Sequence, residues 1–247
     1  MELKKELHKG DKVAIASIVI SIIVALALYS YLPDQIASHW NMQGIADGFM
    51  AKDLFIAGFP ALMAITYLAL SLLPKVRELK YEMDLLHHEY ASFKATIITF
   101  LSYVYLVILY SNSDFSPLQI TTPQLLFPGI SVLLYYVATV MPRLKRNHFI
   151  GIRTPWTIHS DTVWEKTHKL GSKLFKALSV IVMFATLVAS GYSTWLVVAP
   201  ILAVGIILVA YSYKVSEKTT LKTQKQRKNT NEKKTRKTNS KARKRRS

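Results

Sequence analysis

The chain has 247 residues, 51% of them hydrophobic, a net charge of +17 and a positive mean hydropathy. It contains no cysteine, which excludes a disulfide framework, a thiolate metal site and a cysteine nucleophile. Length and composition fit either a large soluble domain or a small membrane bundle, so the distribution of residues decides: apolar residues gather in blocks, and the 32 Lys and Arg are pushed into the gaps and the end.

Six apolar blocks follow one another at 13–32, 54–73, 95–110, 124–141, 177–190 and 195–213. A helix rises about 1.5 Å per residue and a hydrocarbon layer is roughly 30 Å thick, so the blocks match a membrane crossing or fall slightly short of one. None contains Asp, Glu, Lys, Arg or His, as expected when a mid-bilayer charge costs about 2.5–3.5 kcal/mol. Pro60 and Pro200 lie inside spans, where neighbouring helices can satisfy the carbonyls they free. The expected fold class is all-α, a polytopic bundle of six transmembrane helices in the cell membrane. With the N-terminus inside, every Lys and Arg except Lys52 falls on the cytoplasmic side, so both termini are expected there. Lys4 and Lys5 before an apolar run also fit a signal peptide, although the run continues well past Ala25 and Ala27.

The expected organisation follows from these blocks. Residues 1–12 form a cytoplasmic N-terminus and 13–73 a first helical hairpin around an outer loop, 33–52. A cytoplasmic helical linker spans 74–94. Residues 95–213 form a four-helix region with a large cytoplasmic loop at 142–176, and 214–247 form a basic tail.

In the outer loop Pro33 closes the preceding helix, and Asn41, Gly44, Asp47 and Gly48 supply turn chemistry around Trp40, beside His39. It reads either as a structured hairpin or as a recognition surface. In the linker Leu79, Met83, Leu86 and Tyr90 recur at helical spacing, giving one apolar stripe; adjacent His87 and His88 point about 100° apart and cannot share a metal alone. In the large loop Asn147 opens the segment, Gly151 permits a turn and Pro155 holds Thr154 extended before Trp156. Ser160 is placed to cap a helix on which Trp164, His168, Gly171 and Phe175 share a face. Arg153 is suited to helix-end carbonyls or a lipid phosphate. The loop reads equally as a packed cap or a binding surface. The tail carries fifteen Lys and Arg against Glu217 and Glu232, too few apolar groups to fold, and is expected to be disordered. Anionic lipid head groups are its nearest partner, with nucleic acid second.

Two segments resemble the SdpI-like membrane proteins, which include immunity proteins against a peptide toxin. Asn147, Gly151-Ile152-Arg153-Thr154-Pro155-Trp156-Thr157, Ser160, Val163-Trp164, Lys166-Thr167-His168 and Gly171 are similar to that family's signature loop. Leu32-Pro33, Ile36, His39-Trp40-Asn41, Gly44, Asp47 and Lys52 are similar to the small domain of unknown function that often precedes it. The basic tail lies outside the pattern. The resemblance implies a multi-pass protein that protects its cell from a membrane-active peptide toxin and, in the best-understood relative, sequesters a cytoplasmic repressor.

Other functions are less well served. No ionisable group lies at membrane depth, which argues against ion-coupled transport; a transporter or facilitator for a small or apolar solute stays open. The chain lacks His-Glu-x-x-His, Gly-x-Ser-x-Gly and a phosphate-cradling glycine loop, so no enzyme, metal site or cofactor is expected. The one arrangement open to metal chemistry is His148, His159, His168 and Asp161 in a single loop.

Overall fold

The computed structural model describes residues 8–76, 86–114, 121–187 and 193–244. Seven α-helices and one two-stranded sheet occur among them. Helix α1 (Lys9–Leu28) leads through a 3-10 turn into strands β1 (Gln35–Trp40) and β2 (Ala46–Ala51), then α2 (Lys52–Leu72). Helices α3 (His87–Asn112) and α4 (Thr122–Val140) follow, then the short α5 (Pro155–His159), α6 (Asp161–Ala185) and the long α7 (Ser193–Lys244).

The all-α expectation holds, with the β-ribbon as an insertion. Among the described residues five segments are long and apolar enough to cross a membrane: Lys9–Tyr31, Lys52–Lys75, Glu89–Asn112, Thr122–Arg143 and Thr194–Leu221. The block at 177–190 accounts for the difference from six. Its described part covers the last nine residues of α6, and the sixteen before them carry Lys166, Lys169, Lys173 and Lys176, so the whole helix is amphipathic. The spans turn large apolar side chains outward, among them Ile20, Ile23 and Leu26 on α1, Ile65 on α2 and Ile206 on α7. Lipid satisfies such faces and water does not. The chain is a multi-pass membrane protein.

Two packing units lie side by side. In the first, α1, α2 and α3 close around Phe55, Met63, Tyr105 and Leu109, with the Phe55 and Phe59 rings stacked on Tyr105 at 5.4 and 5.1 Å. Pro60 has no N–H to give the Ile56 carbonyl one turn back, and the buried Tyr105 hydroxyl donates to that oxygen instead, at 3.1 Å. Tyr105→Phe therefore strands a carbonyl in an apolar core. The expected loss is about 1 kcal/mol, read from the melting temperature in detergent. In the second unit α4, α6 and α7 pack through Phe127, Leu178, Val182, Val204 and Leu208. The units meet where the Tyr103 ring fills the space over Gly129 and the Tyr103 hydroxyl donates to the Leu125 carbonyl. A third cluster joins Leu86, Tyr90, Leu144 and Trp164. Leu86 and Tyr90 are the described half of the stripe expected in the linker; Leu79 and Met83 lie outside the described residues.

Instead of a disordered tail, α7 continues through the basic sequence to Lys244. Beyond Gly205 there is neither Gly nor Pro to stop it, and Lys, Arg and Gln are good helix formers. A helix already nucleated in its membrane half adds turns without a second nucleation cost.

Candidate functional site

The segment between α4 and α6 is built on its own polar side chains. Asn147 is buried and fully used: its Oδ1 accepts from the N–H groups of Phe149 and Ile150, both at 2.7 Å, and its Nδ2 donates to the carbonyls of Lys145 and Ile150. That turn delivers Gly151 at φ +132°, against the Trp164 and His168 rings. The next N–H, from Ile152, donates to His168 Nε2 at 3.0 Å, and His168 Nδ1 bonds the Trp164 carbonyl at 2.8 Å. Since a carbonyl only accepts, Nδ1 carries the proton and Nε2 the lone pair, which makes the ring neutral. Trp164 stacks on it at 4.1 Å and donates Nε1–H to the Leu144 carbonyl.

Thr154 then caps α5 reciprocally with Thr157: the Thr154 hydroxyl accepts from the Thr157 N–H, and the Thr157 hydroxyl accepts from the Thr154 N–H. Pro155 takes the first helical position, where its missing N–H costs nothing. The Thr154 hydroxyl meets the Ser212 hydroxyl at 3.0 Å, and Trp156 packs edge-on against Tyr213, so both anchor the loop to α7. Ser160 accepts from the Val163 N–H and caps α6, as its position predicts. Arg146 bridges to Asp161 at 2.5 Å and to the Ile158 carbonyl at 2.6 Å. A cavity of about 470 Å³ opens beside them, lined by Leu144, Lys145, Arg146, Glu165 and the Trp164–His168 pair.

At the opposite end of the bundle, residues 35–51 form an antiparallel ribbon with Ile36 opposite Met50 and Trp40 opposite Ala46. Asn41 organises the turn, its Oδ1 accepting from the N–H groups of Gln43 and Ile45, and Gly44 sits at φ +78°. His39 and Asp47 pair across the strands at 2.5 Å. Ile36 is buried, and Asn112 of α3 exchanges two hydrogen bonds with Ala37. Lys52 reaches back to the Leu32 carbonyl, just before Pro33, so the ribbon is clamped at both ends.

Comparison with known proteins finds a separate match for each of these two regions. The SdpI/YfhL protein family matches residues 143–212, and a domain of unknown function, DUF1648, matches 16–64. The chain is therefore similar to the SdpI-like membrane proteins in its signature loop and last helix. Immunity protein SdpI of Bacillus subtilis (strain 168) is 23% identical over 205 residues, covering 83% of this chain and 95% of that protein. No solved structure matches this chain. The SdpI-like match closes at Ser212, the residue that holds Thr154, and Tyr213, the partner of Trp156, follows directly after it.

Within the SdpI-like loop the residues singled out from sequence fall into two groups. Asn147, Thr154, Trp164 and His168 are buried and hold the framework together. Gly151, Arg153 and Pro155 are exposed, and Trp156 and Ser160 are half-buried. Arg153 donates to the His148 carbonyl at 2.6 Å, a loop carbonyl rather than a helix end. In the ribbon Pro33, His39 and Asp47 are exposed, while Trp40, Asn41 and Gly44 are half-buried. Both His168 nitrogens are taken by backbone groups, and no cluster of three or more His, Asp or Glu side chains is found among the described residues.

Burial pushes the His168 imidazole below its ordinary value of 6.5, partly offset by the Trp164 carbonyl. The sign follows. Below about pH 6.5 the unfolded chain takes up a proton that the folded ring resists, so stability falls with pH from there downward. The expected result is a lower melting temperature in detergent at pH 5.5 than at pH 7.5, with the difference reduced in His168→Gln.

Sequence reasoning missed one polar site. Lys94 at the start of α3 is buried against Asp11 of α1 at 2.5 Å, donates to Ser71 Oγ and lies over the Tyr67 ring, while the Tyr67 hydroxyl donates to Asp11. Gly10 lets α1 approach this point, since a Cβ there would stand 2.5 Å from the Ala91 carbonyl oxygen. In the sequence Asp11 and Lys94 each sit just outside an apolar block, where a charge reads as an ordinary flank.

Proposed function

We propose that this SdpI-like chain is an immunity-type membrane protein that protects its cell from a membrane-active peptide and presents its signature loop to a cytoplasmic regulator. The observation that carries this reading is the relation to Immunity protein SdpI, which extends over nearly all of that protein. The division of the loop supports it: a rigid internal framework holds Arg153 and Pro155 outward, as a docking face requires. A peptide alters that face only by binding two bundle arrangements with different affinity. The joint at Thr154, Ser212, Trp156 and Tyr213 is suited to carry such a change, because it ties loop to membrane helix.

The reading includes both termini inside, six crossings, the ribbon outside and the loop in the cytoplasm. A chain without cysteine makes this directly testable. A cysteine introduced at Ser38 should react with an impermeant reagent from outside, and one at Arg153 only after the membrane is opened. Labelling of the Arg153 position from outside would overturn the arrangement.

Protection is tested by expression in a strain sensitive to the family's peptide toxin. Survival should rise; unchanged survival with full membrane expression counts against the immunity role. Arg153→Glu should leave protection intact while releasing any regulator held at the membrane, measured by fractionation.

A further inference from the structure

Past Ser212, where the SdpI-like match ends, α7 runs on without interruption to Lys244. The contacts of Ser212 and Tyr213 with Thr154 and Trp156 fix where it leaves: at the signature-loop end of the bundle. The departing sequence, 214–247, carries fifteen Lys and Arg against two Glu.

The bilayer is the nearest polyanion, and a flexible tail would settle on it with about 1 kcal/mol per basic residue close to the surface. Helical structure changes that geometry. At about 1.5 Å per residue, Lys244 stands about 35 Å farther along the axis than Leu221, where the apolar span ends. Lipid head-group charge is screened over a Debye length of about 8 Å at physiological salt. Folding the helix back onto the surface needs a kink, and kinks come at Pro, Gly or an inserted bulge; neither Pro nor Gly follows Gly205. Lying flat in the interface needs an apolar face, and beyond Leu221 the sequence offers Ala242 alone. The same lack of apolar and aromatic anchors disfavours a protein interface. What remains is a cationic rod pointing into the aqueous phase.

We infer that this extension is a nucleic-acid-binding arm that engages the phosphodiester backbone of RNA or DNA without reading its bases. Phosphates supply regularly spaced negative charge, and their release of counterions on meeting Lys and Arg supplies the driving force. Neutralisation also relieves the repulsion among like charges one turn apart that an isolated basic helix carries.

The test uses the full chain in nanodiscs of neutral lipid, with a fluorescent 20-base-pair DNA duplex and a fluorescent RNA hairpin as probes. Anisotropy should report binding of both, falling about 100-fold between 50 and 200 mM salt, the loss expected for about four phosphate contacts on a duplex. A chain ending at Leu221 should lose binding. So should a full-length chain with Lys or Arg→Gln at positions 222, 225, 227, 228, 233, 234, 236 and 237, which keeps good helix formers in place. Binding retained in nanodiscs containing anionic lipid supports the arm. Equal binding by the truncated chain overturns the proposal. So does binding that vanishes once anionic lipid is present, because the bilayer would then be the partner.

Discussion

Gly151→Ala should lower the stability of the bundle by about 2–6 kcal/mol. Two costs combine. The backbone at φ +132° is a conformation that side chains with a Cβ rarely adopt, worth about 1–3 kcal/mol. The added Cβ would also stand 2.6 Å from His168 Nε2 and 2.8 Å from the Trp164 ring. Neither ring can retreat freely: His168 is held by Ile152 and its own helix, and Trp164 by the Leu144 carbonyl. Overpacking of that kind costs about 1–3 kcal/mol more. The melting temperature in detergent should drop strongly, and limited proteolysis should cut first between Asn147 and Ser160. Gly205→Ala is the matched control, since nothing lies within 4 Å of its Cβ position in α7, and it should be neutral or slightly stabilising. Equal melting of the Gly151 variant and the native chain would mean that the loop reroutes without the clash.

Lys94→Met should cost about 3 kcal/mol by leaving Asp11 without its cation at the packed junction of α1, α2 and α3. The side chains of Lys94 and Asp11 are 9% and 16% exposed, so water compensates only in part. The pair's net contribution is smaller than this loss, because joining the two charges first removes both from water. Asp11→Asn combined with Lys94→Met should therefore recover much of the stability lost in Lys94→Met alone. A double-mutant cycle on melting temperature and on resistance to SDS unfolding measures the difference. Strict additivity of the two single changes would show that the pair is not coupled and that the contact is incidental.

The membrane character, the helical class and the likeness to the SdpI-like proteins were all legible in the sequence, because they rest on one-dimensional quantities: block length, exclusion of charge from the blocks, and two motifs. Ser160 as a helix cap and Thr154 extended before Pro155 were legible for a similar reason, since caps and proline restrictions are set by neighbours in the chain. The ribbon at 35–51 was legible only as turns. Its strands are six residues long, broken by an irregularity near His39, and held by Asn112 from a helix some seventy residues away. The Asp11–Lys94 pair and the Tyr105 bond to the Pro60-freed carbonyl share that origin, for each joins helices whose facing sides no periodicity reveals. The loop motif marked which residues matter without saying how. Tertiary structure decided that Asn147, Trp164 and His168 turn inward to satisfy backbone groups of the loop and of α6 while Arg153 faces out, because a buried polar group must find partners and those partners come from loop and helix together. The tail shows the limit from the other side. Its composition alone indicates disorder, whereas its attachment to a membrane helix removes the nucleation cost, so covalent continuity with α7 outweighed composition.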